Sequence, residues 1–343
     1  METSESQTLQ LLELQRSDLH RADEPQSLRA LAALGASRPQ TLREAFALFL
    51  QLDVADGSPT QDTIDTYWRE FRQWHEWCAV NGFHAHEITP THVKIYREYL
   101  KAEGMGVATR NRKLSIVRRV YDAAVTYGLM PTNPAAGIRG GHDKTPAVAK
   151  MKHLAQEGLD MLADTPGDTL TQQRDRAIIA LESIHGLRRI EINRLDHEHL
   201  FDAQTNQPYL MIQGKGGKAR QIFLRADTLA CVLIYTSSKL QHGLPLSGAL
   251  FVGHGNRSRG VRLARRSINE VVDKQLIAKG LKRAGVSCHA LRHTHGTLAV
   301  EGGAKLEHLQ KEMGHEAIDT TMIYVEAVDL IQNNPAKFIK TKF

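Results

Sequence analysis

Hydrophobic side chains recur three and four positions apart along most of this chain, which is the spacing of one face of an α-helix. The clearest example runs from 61 to 80, where Trp68 and Phe71 fall on one face. Thr41 and Pro90 stand where helices are expected to begin, as an N-cap and as a first helical residue. The pattern predicts four helices in the first half, at about 42–52, 61–80, 90–100 and 108–127.

The second half keeps the helical spacing but contains one segment of a different kind. Residues 209–213 and 220–224 are rich in strand-forming side chains and flank a glycine-rich stretch at 214–218, which is typical of a β-hairpin. Helices are predicted at about 171–185, 189–195, 227–241, 265–284, 289–301, 306–313 and 320–327. The fold class is therefore mainly α, with a small antiparallel β-sheet in the second half.

The length of 343 residues predicts about two domains. Glycine, proline and charged residues without apolar periodicity mark a linker between them, which we expect to be flexible. The predicted organisation is a weakly ordered leader at 1–40 with a short helix at 9–14, an all-helical domain at 41–138, the linker at 139–150, a second domain at 151–327 and a tail at 328–343.

Composition removes several classes of protein. Hydrophobic residues make up 41% of the chain and charged residues 24%, as in ordinary globular proteins. The longest apolar runs fall well short of the roughly 20 residues that a membrane helix needs. The polar, acidic start of the chain does not resemble a signal peptide. Three scattered cysteines give no disulfide framework, which favours a cytoplasmic location.

The distribution of charge is more informative about a binding partner than the composition is. The net charge is +6, and nearly all of the excess lies after residue 140. Two windows of ten residues each hold five basic side chains and no acid. They contain Arg110, Arg112, Lys113, Arg118 and Arg119 in the first half, and Arg257, Arg259, Arg262, Arg265 and Arg266 in the second. One such window is commonly a solvated helix face, but two favour a polyanion such as nucleic acid held from both sides, with these ten residues as its candidate contacts.

Helical spacing predicts which side chains of the first window reach solvent. Leu114, Val117, Tyr121 and Ala124 would face inward, on the apolar side of the helix at 108–127. The same spacing predicts that the basic side chains Arg110, Lys113, Arg118 and Arg119 face outward. The helix could then lie with these charges on phosphate groups.

Two segments of the second half carry cations on turns. In His185–Ile192, read as HGLRRIEI, Arg188 stands at a helix start and Glu191 lies one turn further on. Taken alone, this is a surface Arg–Glu pair. The hairpin tip GKGGK holds Lys215, which is either a plain turn residue or a mobile ammonium for a phosphate ester. Because the P-loop spacing is absent, ATP binding is not indicated.

Three further segments carry histidines and a tyrosine. His289 and Arg292 are three residues apart and share a helix face, while His289 and His293 have the spacing of a zinc-binding pair without an evident third ligand. His315 follows a glycine, and Tyr324 lies in an apolar helix. Each of the last two is by itself an ordinary structural residue.

Taken in order, with Tyr324 nine residues after His315, these segments resemble the tyrosine recombinases, or phage integrase family. The resemblance covers about 151–327, and less specifically the helical domain and linker before it. It implies an N-terminal SAM-like core-binding domain, of the simple two-domain kind, followed by an α+β catalytic domain. The matching residues are Arg188, Lys215, His289, Arg292, His315 and Tyr324, with Glu191 in a supporting role.

The resemblance implies that DNA is cut and rejoined through a covalent 3′-phosphotyrosine, without metal, ATP or another cofactor. Tyr324 would be the nucleophile, with Arg188 and Arg292 donating charged hydrogen bonds to the phosphate oxygens. The remaining roles would be a general base at His289, a general acid at Lys215, a phosphate hydrogen bond from His315 and support of Arg188 or the histidines by Glu191.

Several assignments stay open at this point. Lys218 competes with Lys215 as the general acid, and Arg189 adjoins Arg188. His293 and His295 receive no catalytic role, while Asp319 is expected to cap the helix that carries Tyr324.

The implied partner is duplex DNA with inverted-repeat sites, bound by a homotetramer on two duplexes. The basic, apolar tail would dock into a neighbouring protomer, or else be a frayed terminus. Three other functions remain. A type IB topoisomerase-like enzyme would relax DNA without exchanging sites, a catalytically silent DNA-binding protein would form no adduct, and a histidine-rich metal protein would bind metal stoichiometrically.

Overall fold

The computed structural model describes residues 39–55, 59–201, 207–214 and 218–340. Its contacts divide the chain into two compact units between Lys144 and Thr145. This division falls inside the stretch predicted as a linker. The predicted helix at 9–14 and nearly all of the predicted leader lie outside the described residues.

The first unit consists of helices. They are α1 (Leu42–Leu52), α2 (Gln61–Val80), α3 (Pro90–Ala102) and α4 (Val107–Thr126). All four were predicted, and Thr41 and Pro90 begin their helices as expected. Thr41 and Glu44 cap α1 reciprocally, because the Thr41 hydroxyl accepts from the Glu44 amide at 3.2 Å and the Glu44 carboxylate accepts from the Thr41 amide at 3.3 Å.

Aromatic side chains fill the interior between α2 and α4. The indole of Trp74 donates to the Tyr121 hydroxyl at 3.3 Å, and that hydroxyl donates to the Ala85 carbonyl at 3.0 Å. Each buried polar group of this pair therefore has a partner. Leu114, Val117, Tyr121 and Ala124 are all buried, so the prediction of the inward face of α4 is confirmed.

The predicted outward face of α4 is wrong for three of its four basic residues. Lys113 is only 6% exposed. Arg110 and Arg118 are half-buried and donate to backbone carbonyls, at 2.9 Å to Gly140 and 2.9 Å to Ile138 respectively. Long basic side chains can extend along the protein surface to such acceptors, which helical spacing alone does not reveal. Arg119 is exposed as predicted, and so is Arg112.

The same hydrogen bonds hold the start of the predicted flexible linker against α4. Asn111 accepts from the Gly140 amide at 2.7 Å and donates to the Gly141 carbonyl at 3.1 Å. A Cβ at Gly140 would lie 2.6 Å from Cβ of Arg110, so only glycine fits there. The segment is therefore bound to the helix at residues 140–141, and a short helix follows it at 147–150.

One buried carboxylate joins α2 to α4. Glu70 accepts from Lys113 Nζ at 2.7 Å and also pairs with Arg112. Burial by itself would raise the pKa of Glu70, but hydrogen bonds from Lys113 and Arg112 outweigh it and hold the pKa below its usual value. The Glu70 carboxylate is thus charged at neutral pH although it is buried.

Replacing Glu70 should destabilise the first unit because it leaves Lys113 as an unpaired buried cation. We expect Glu70→Ala to lower the free energy of unfolding by about 3–5 kcal/mol in urea denaturation. Glu76→Ala, at an exposed position of the same helix, is the control and should change little. Since the pKa of Glu70 is lowered in the folded protein, the difference in the free energy of unfolding between wild type and Glu70→Ala should be largest above pH 4.5. It should shrink as the pH falls further. Equal stability of the two variants would contradict the assignment.

The second unit packs helices around a small sheet. Its helices are α5 (Ala147–Lys150), α6 (Gln156–Ala163), α7 (Leu170–Ile184), α8 (Arg189–Arg194), α9 (Ala226–Gln241), α10 (Arg265–Ala278), α11 (Cys288–Glu301), α12 (Leu306–Met313) and α13 (Asp319–Gln332), with one-turn 3-10 helices at His197–His199 and Pro335–Phe338. Within the described ranges, no helix is both long and apolar enough to cross a membrane.

The sheet is antiparallel, in the order β1 (Leu200–Phe201), β2 (Tyr209–Gln213) and β3 (Ala219–Phe223). Leu210 of β2 pairs with Ile222 of β3, and both are buried. Helix α7 contacts α9 and α11, and α11 contacts α13. The mainly helical fold with a small antiparallel sheet agrees with the prediction.

Several boundaries in the second unit differ from the prediction. Helix α10 ends at Ala278 instead of 284, because the left-handed backbone of Gly280 stops it. Helix α13 continues to Gln332, beyond the predicted end at 327. The cap position of α13 is Ile318, so Asp319 lies in the first turn and is not the cap. Helix α6 and strand β1 were not predicted.

Candidate active site

Tyr324 lies on α13 and packs against the backbone of α11. Its side chain is 2% exposed. A Cβ at Gly296 would lie 2.5 Å from Cζ of Tyr324, so the ring rests directly on a glycine. Its hydroxyl is 3.2 Å from Nδ1 of His293, one turn before Gly296 on α11. Burial raises the pKa of Tyr324, and the charges of Arg292 and Arg188 oppose that rise. The phenol is therefore protonated at neutral pH.

Arg292 is the most deeply buried cation near Tyr324. It is 2% exposed and donates to the carbonyls of Gly186 and of Met313, the latter at 2.6 Å. Its Nη2 also donates to Nε2 of His315 at 2.9 Å. Burial, followed by the charge of Arg188, lowers the pKa of Arg292 to about 10, which still leaves it cationic at neutral pH.

Arg188 approaches the same place from the start of α8. Its Nη1 donates to Glu191 at 3.0 Å and its Nη2 to the Gly314 carbonyl at 2.9 Å. Gly314 has a left-handed backbone, with φ at 62°, at the end of α12. About a third of the Arg188 side chain, 36%, is exposed, so this guanidinium is open to a ligand from solvent.

Glu191 is a buried carboxylate held by two arginines. Besides Arg188, it accepts from both Nη atoms of Arg220 at 2.9 Å each. Burial alone would raise the pKa of Glu191, but the hydrogen bonds from Arg220 and the neighbouring charges lower it overall. Arg220 also donates to the Glu312 carbonyl at 2.8 Å, which ties β3 to α12. The expected contact of Glu191 with Arg188 is present.

His315 completes this group with a defined protonation state. Because a guanidinium can only donate, Nε2 of His315 must accept from Arg292. The proton therefore sits on Nδ1, which donates to the Thr321 hydroxyl at 2.9 Å. Burial and then the charges of Arg292 and Arg188 lower the pKa of His315 to about 4. The ring is neutral at pH 7.

His289 lies beside this group without bonding to the tyrosine. It is exposed, and its ring centroid is 4.5 Å from that of His293. Burial of part of the ring and the charges of Arg292 and Arg188 lower its pKa. Within the described structure, His293 is the histidine that reaches the Tyr324 hydroxyl.

Three residues of this site were given no role from the sequence. Arg220 is two residues before the buried Ile222 on β3 and so shares its face, which places an arginine on the inner side of a strand and calls for a buried acid. His293 is four residues from His289 and so lies on the same helix face. Gly296 continues that face by one more turn. Spacing was thus the available signal for all three.

The other predicted residues are placed as follows. Lys215 lies outside the described residues, and its alternative, Lys218, is exposed at the start of β3. The five arginines of the second window are all exposed. Of these, Arg259 donates to the His242 carbonyl at 2.7 Å and Arg262 to the Asn193 carbonyl at 2.9 Å, while Arg266 pairs with Glu270. Among the described residues, no cluster of His, Cys, Asp and Glu is arranged to hold a metal ion.

Comparison with known proteins gives matches over both units. A family model described as the phage integrase family matches residues 152–329, and one described as the phage integrase N-terminal SAM-like domain matches residues 49–128. Tyrosine recombinase XerC of Natranaerobius thermophilus is 29% identical over 298 residues, covering 82% of this chain and 94% of that protein. Tyrosine recombinase XerD of Caulobacter vibrioides is 28% identical over 285 residues, covering 82% and 91%.

Solved structures share the fold at lower sequence identity. The XerH site-specific recombinase in a post-cleavage complex with its palindromic difH substrate superposes with a TM-score of 0.66 at 19% identity, covering 80% of this chain and 79% of that one. A lambda integrase dimer bound to a COC′ core site gives 0.60 at 17% identity, covering 89% and 81%. The chain therefore belongs to the phage integrase family of tyrosine site-specific recombinases, enzymes that cleave and rejoin DNA.

Proposed function

We propose that Tyr324 attacks a DNA phosphodiester held by Arg188 and Arg292, which gives a covalent 3′-phosphotyrosine and a free 5′ hydroxyl. The observation that carries this proposal is the meeting of Arg188, Arg292 and Tyr324 from α8, α11 and α13 at one place. A phosphodiester gains negative charge as it is attacked, and fixed cations stabilise that charge without rearranging at the moment of reaction.

The two guanidiniums have donors to spare for this substrate. A guanidinium has five N–H bonds. The contacts above use two of them at Arg188 and three at Arg292. The others are available for the two non-bridging oxygens, with the geometry that makes arginine suited to phosphate.

His315 needs a change of state to serve as a phosphate donor. Its Nε2 is an acceptor while the ring is neutral. Burial is the main reason that the pKa of His315 is near 4, and the charges of Arg292 and Arg188 add to it. An anionic phosphate bound beside the ring would offset these charges and raise the pKa. Substrate binding would thus favour a proton on Nε2 and turn this nitrogen from an acceptor into a donor.

The protons of the reaction are assigned to lysine and histidine. Lys215, or Lys218 in the same hairpin, protonates the departing 5′ oxygen, and His289 stands on the exposed side of the site as the predicted base. The ester energy stays in the phosphotyrosine, so that the free 5′ hydroxyl of a second strand can reverse the reaction.

The proposed partner is duplex DNA with inverted-repeat sites. A homotetramer would bind two such duplexes. The proposed location is the cytoplasm, at the nucleoid. XerH, a protein of the same fold, was crystallised with a palindromic substrate. Exposed apolar side chains near the end of the chain support contact between protomers. They include Leu330, Ile331, Phe338 and Ile339, which are between 54% and 73% exposed.

Removing the Tyr324 hydroxyl should separate cleavage from binding. We expect Tyr324→Phe to form no covalent adduct on a nicked substrate that traps the cleaved strand, while its affinity for the duplex is unchanged in a gel-shift assay. Tyr99→Phe, which alters an exposed tyrosine, is the matched control and should form the adduct normally. An adduct formed by the Tyr324 variant would refute the nucleophile. Relaxation of supercoiled DNA without exchange between sites would instead support the topoisomerase-like alternative.

Salt dependence tests the second basic window. Affinity should fall steeply with salt, and Arg257→Gln should reduce the slope of log K against log salt by about 0.9 if this exposed arginine contacts one phosphate. Lys101→Gln, an exposed lysine outside both windows, should leave the slope unchanged. Equal slopes for wild type and Arg257→Gln would remove Arg257 from the DNA contacts.

Deletion of the tail tests docking between protomers. Removing residues 330–343 takes away the four exposed apolar side chains named above. We expect weaker cooperative assembly on a full site with two repeats, with unchanged affinity for a single repeat, as measured by gel shift. Unchanged cooperativity would show that the tail does not dock.

A further inference from the structure

We propose that His293 is a catalytic residue that accepts the phenolic proton of Tyr324 as the tyrosine attacks DNA. The inference rests on the proposed role of Tyr324 as the nucleophile. Neither the spacing of the motifs nor the resemblance assigns His293 any part in the reaction, and the proposal moves the role of base to it from His289, the base that the resemblance implies.

His293 contacts the phenol of Tyr324 directly. Nδ1 of His293 lies 3.2 Å from the Tyr324 hydroxyl, within reach for direct proton transfer. Within the described residues, His293 is the side chain hydrogen-bonded to this hydroxyl. His289 contacts the ring of His293 and lies on the open side of the site, where it remains free to face the phosphate.

Helix α11 supplies both the acceptor and the seat for the tyrosine. Gly296 lies three residues after His293, on the same helix face, and the Tyr324 ring rests on it. A methyl group there would overlap three atoms of the ring, each within 2.7 Å. The absence of a side chain at Gly296 thus sets how far the phenol can approach His293.

The protonation states suit a base that acts only with substrate. Burial, followed by the charges of His289 and Arg292 and a smaller one from His153, lowers the pKa of His293 to about 4. The ring of His315 also interacts electrostatically with that of His293. The neutral ring can therefore accept a proton at pH 7, but the imidazolium is disfavoured beside Arg292. A phosphate on the two arginines would offset this charge, so DNA would strengthen the base.

The step is balanced in atoms and charge. The O–H bond of Tyr324 breaks as its oxygen forms a bond to phosphorus, and the proton moves to Nδ1 of His293. The bond from phosphorus to the 5′ oxygen breaks, and the general acid of the hairpin protonates that oxygen. On rejoining, His293 returns the proton to the phenolic oxygen as the phosphotyrosine bond breaks.

A single-turnover cleavage assay on a nicked substrate tests this role. We expect His293→Gln to keep duplex affinity and to cleave roughly 10²–10⁴-fold more slowly. In the wild type, the rate should fall on the acid side of the pH profile, because protonated His293 cannot accept a proton. That fall should lie above pH 4, since bound phosphate raises the pKa, and it should be missing in the variant. A variant that retained the wild-type rate within threefold would overturn the proposal.

A substrate with sulfur in place of the 5′ bridging oxygen tests whether His293 acts as a general base or as a general acid. Sulfur leaves without protonation, so this substrate should rescue Lys215→Ala if that lysine is the acid, but it should not rescue His293→Gln. Rescue of His293→Gln would place His293 with the leaving group and overturn the proposal.

A second measurement avoids a folding artefact and keeps the proposal distinct from the nucleophile assignment. Difluorotyrosine at position 324 has a more acidic phenol, which needs less help from a base. It should therefore reduce the ratio of the cleavage rates with His293 and with His293→Gln. An unchanged ratio would mean that His293 has only a structural role. Failure of the nucleophile itself would appear differently, as an adduct formed by Tyr324→Phe.

Discussion

The carboxylate of Glu191 is the interaction on which the geometry of this site depends. It is buried, and it accepts four hydrogen bonds, from the Arg188 backbone and side chain and from both Nη atoms of Arg220. Through Arg220 it is linked to β3 and the end of α12, and through Arg188 to the start of α8. An uncompensated carboxylate or guanidinium here would be costly, so each member of the group holds the others in one arrangement.

This arrangement explains how two neighbouring arginines are accommodated in one site. Burial, and then the charge of Arg188, lowers the pKa of Arg292 to about 10. Glu191 supplies one compensating charge, and backbone carbonyls supply the other acceptors. Burial, and then the charges around the two rings, lowers the pKa values of His293 and His315 to about 4. The site is thus a set of coupled groups, in which an added anion would shift every protonation equilibrium in the same direction.

Sequence could predict the parts of the molecule that are local. Thr41 and Pro90 mark helix starts by their own chemistry, and the apolar stripe of α4 identifies its buried face. The family motif places Arg188, Arg292 and Tyr324 in order along the chain, and the fold does bring them together. What it could not predict are contacts between distant segments. Lys113 is buried because Glu70 of another helix receives it, and no periodicity in α4 contains that information.

The same limit applies to the site. Arg220 is recognisable as an inward residue of a strand, but its partner Glu191 is 29 positions away. His293 lies next to a recognised arginine, yet its contact with Tyr324 depends on how α13 crosses α11. Basic residues illustrate the point most clearly. Arg118 donates to a backbone carbonyl and Arg257 is exposed to solvent, but a count of charges does not distinguish them.

The end of α12 bears on how the proposed substrate would bind. Two successive carbonyls, of Met313 and Gly314, accept from Arg292 and Arg188 respectively. A helix C-terminus carries a partial negative charge, so these carbonyls act as an internal stand-in for the phosphate. The left-handed turn at Gly314 is what aims both carbonyls at the arginines. For the proposed DNA phosphate, the two guanidiniums are already oriented by an anion-like group, so little side-chain freedom would be lost on binding.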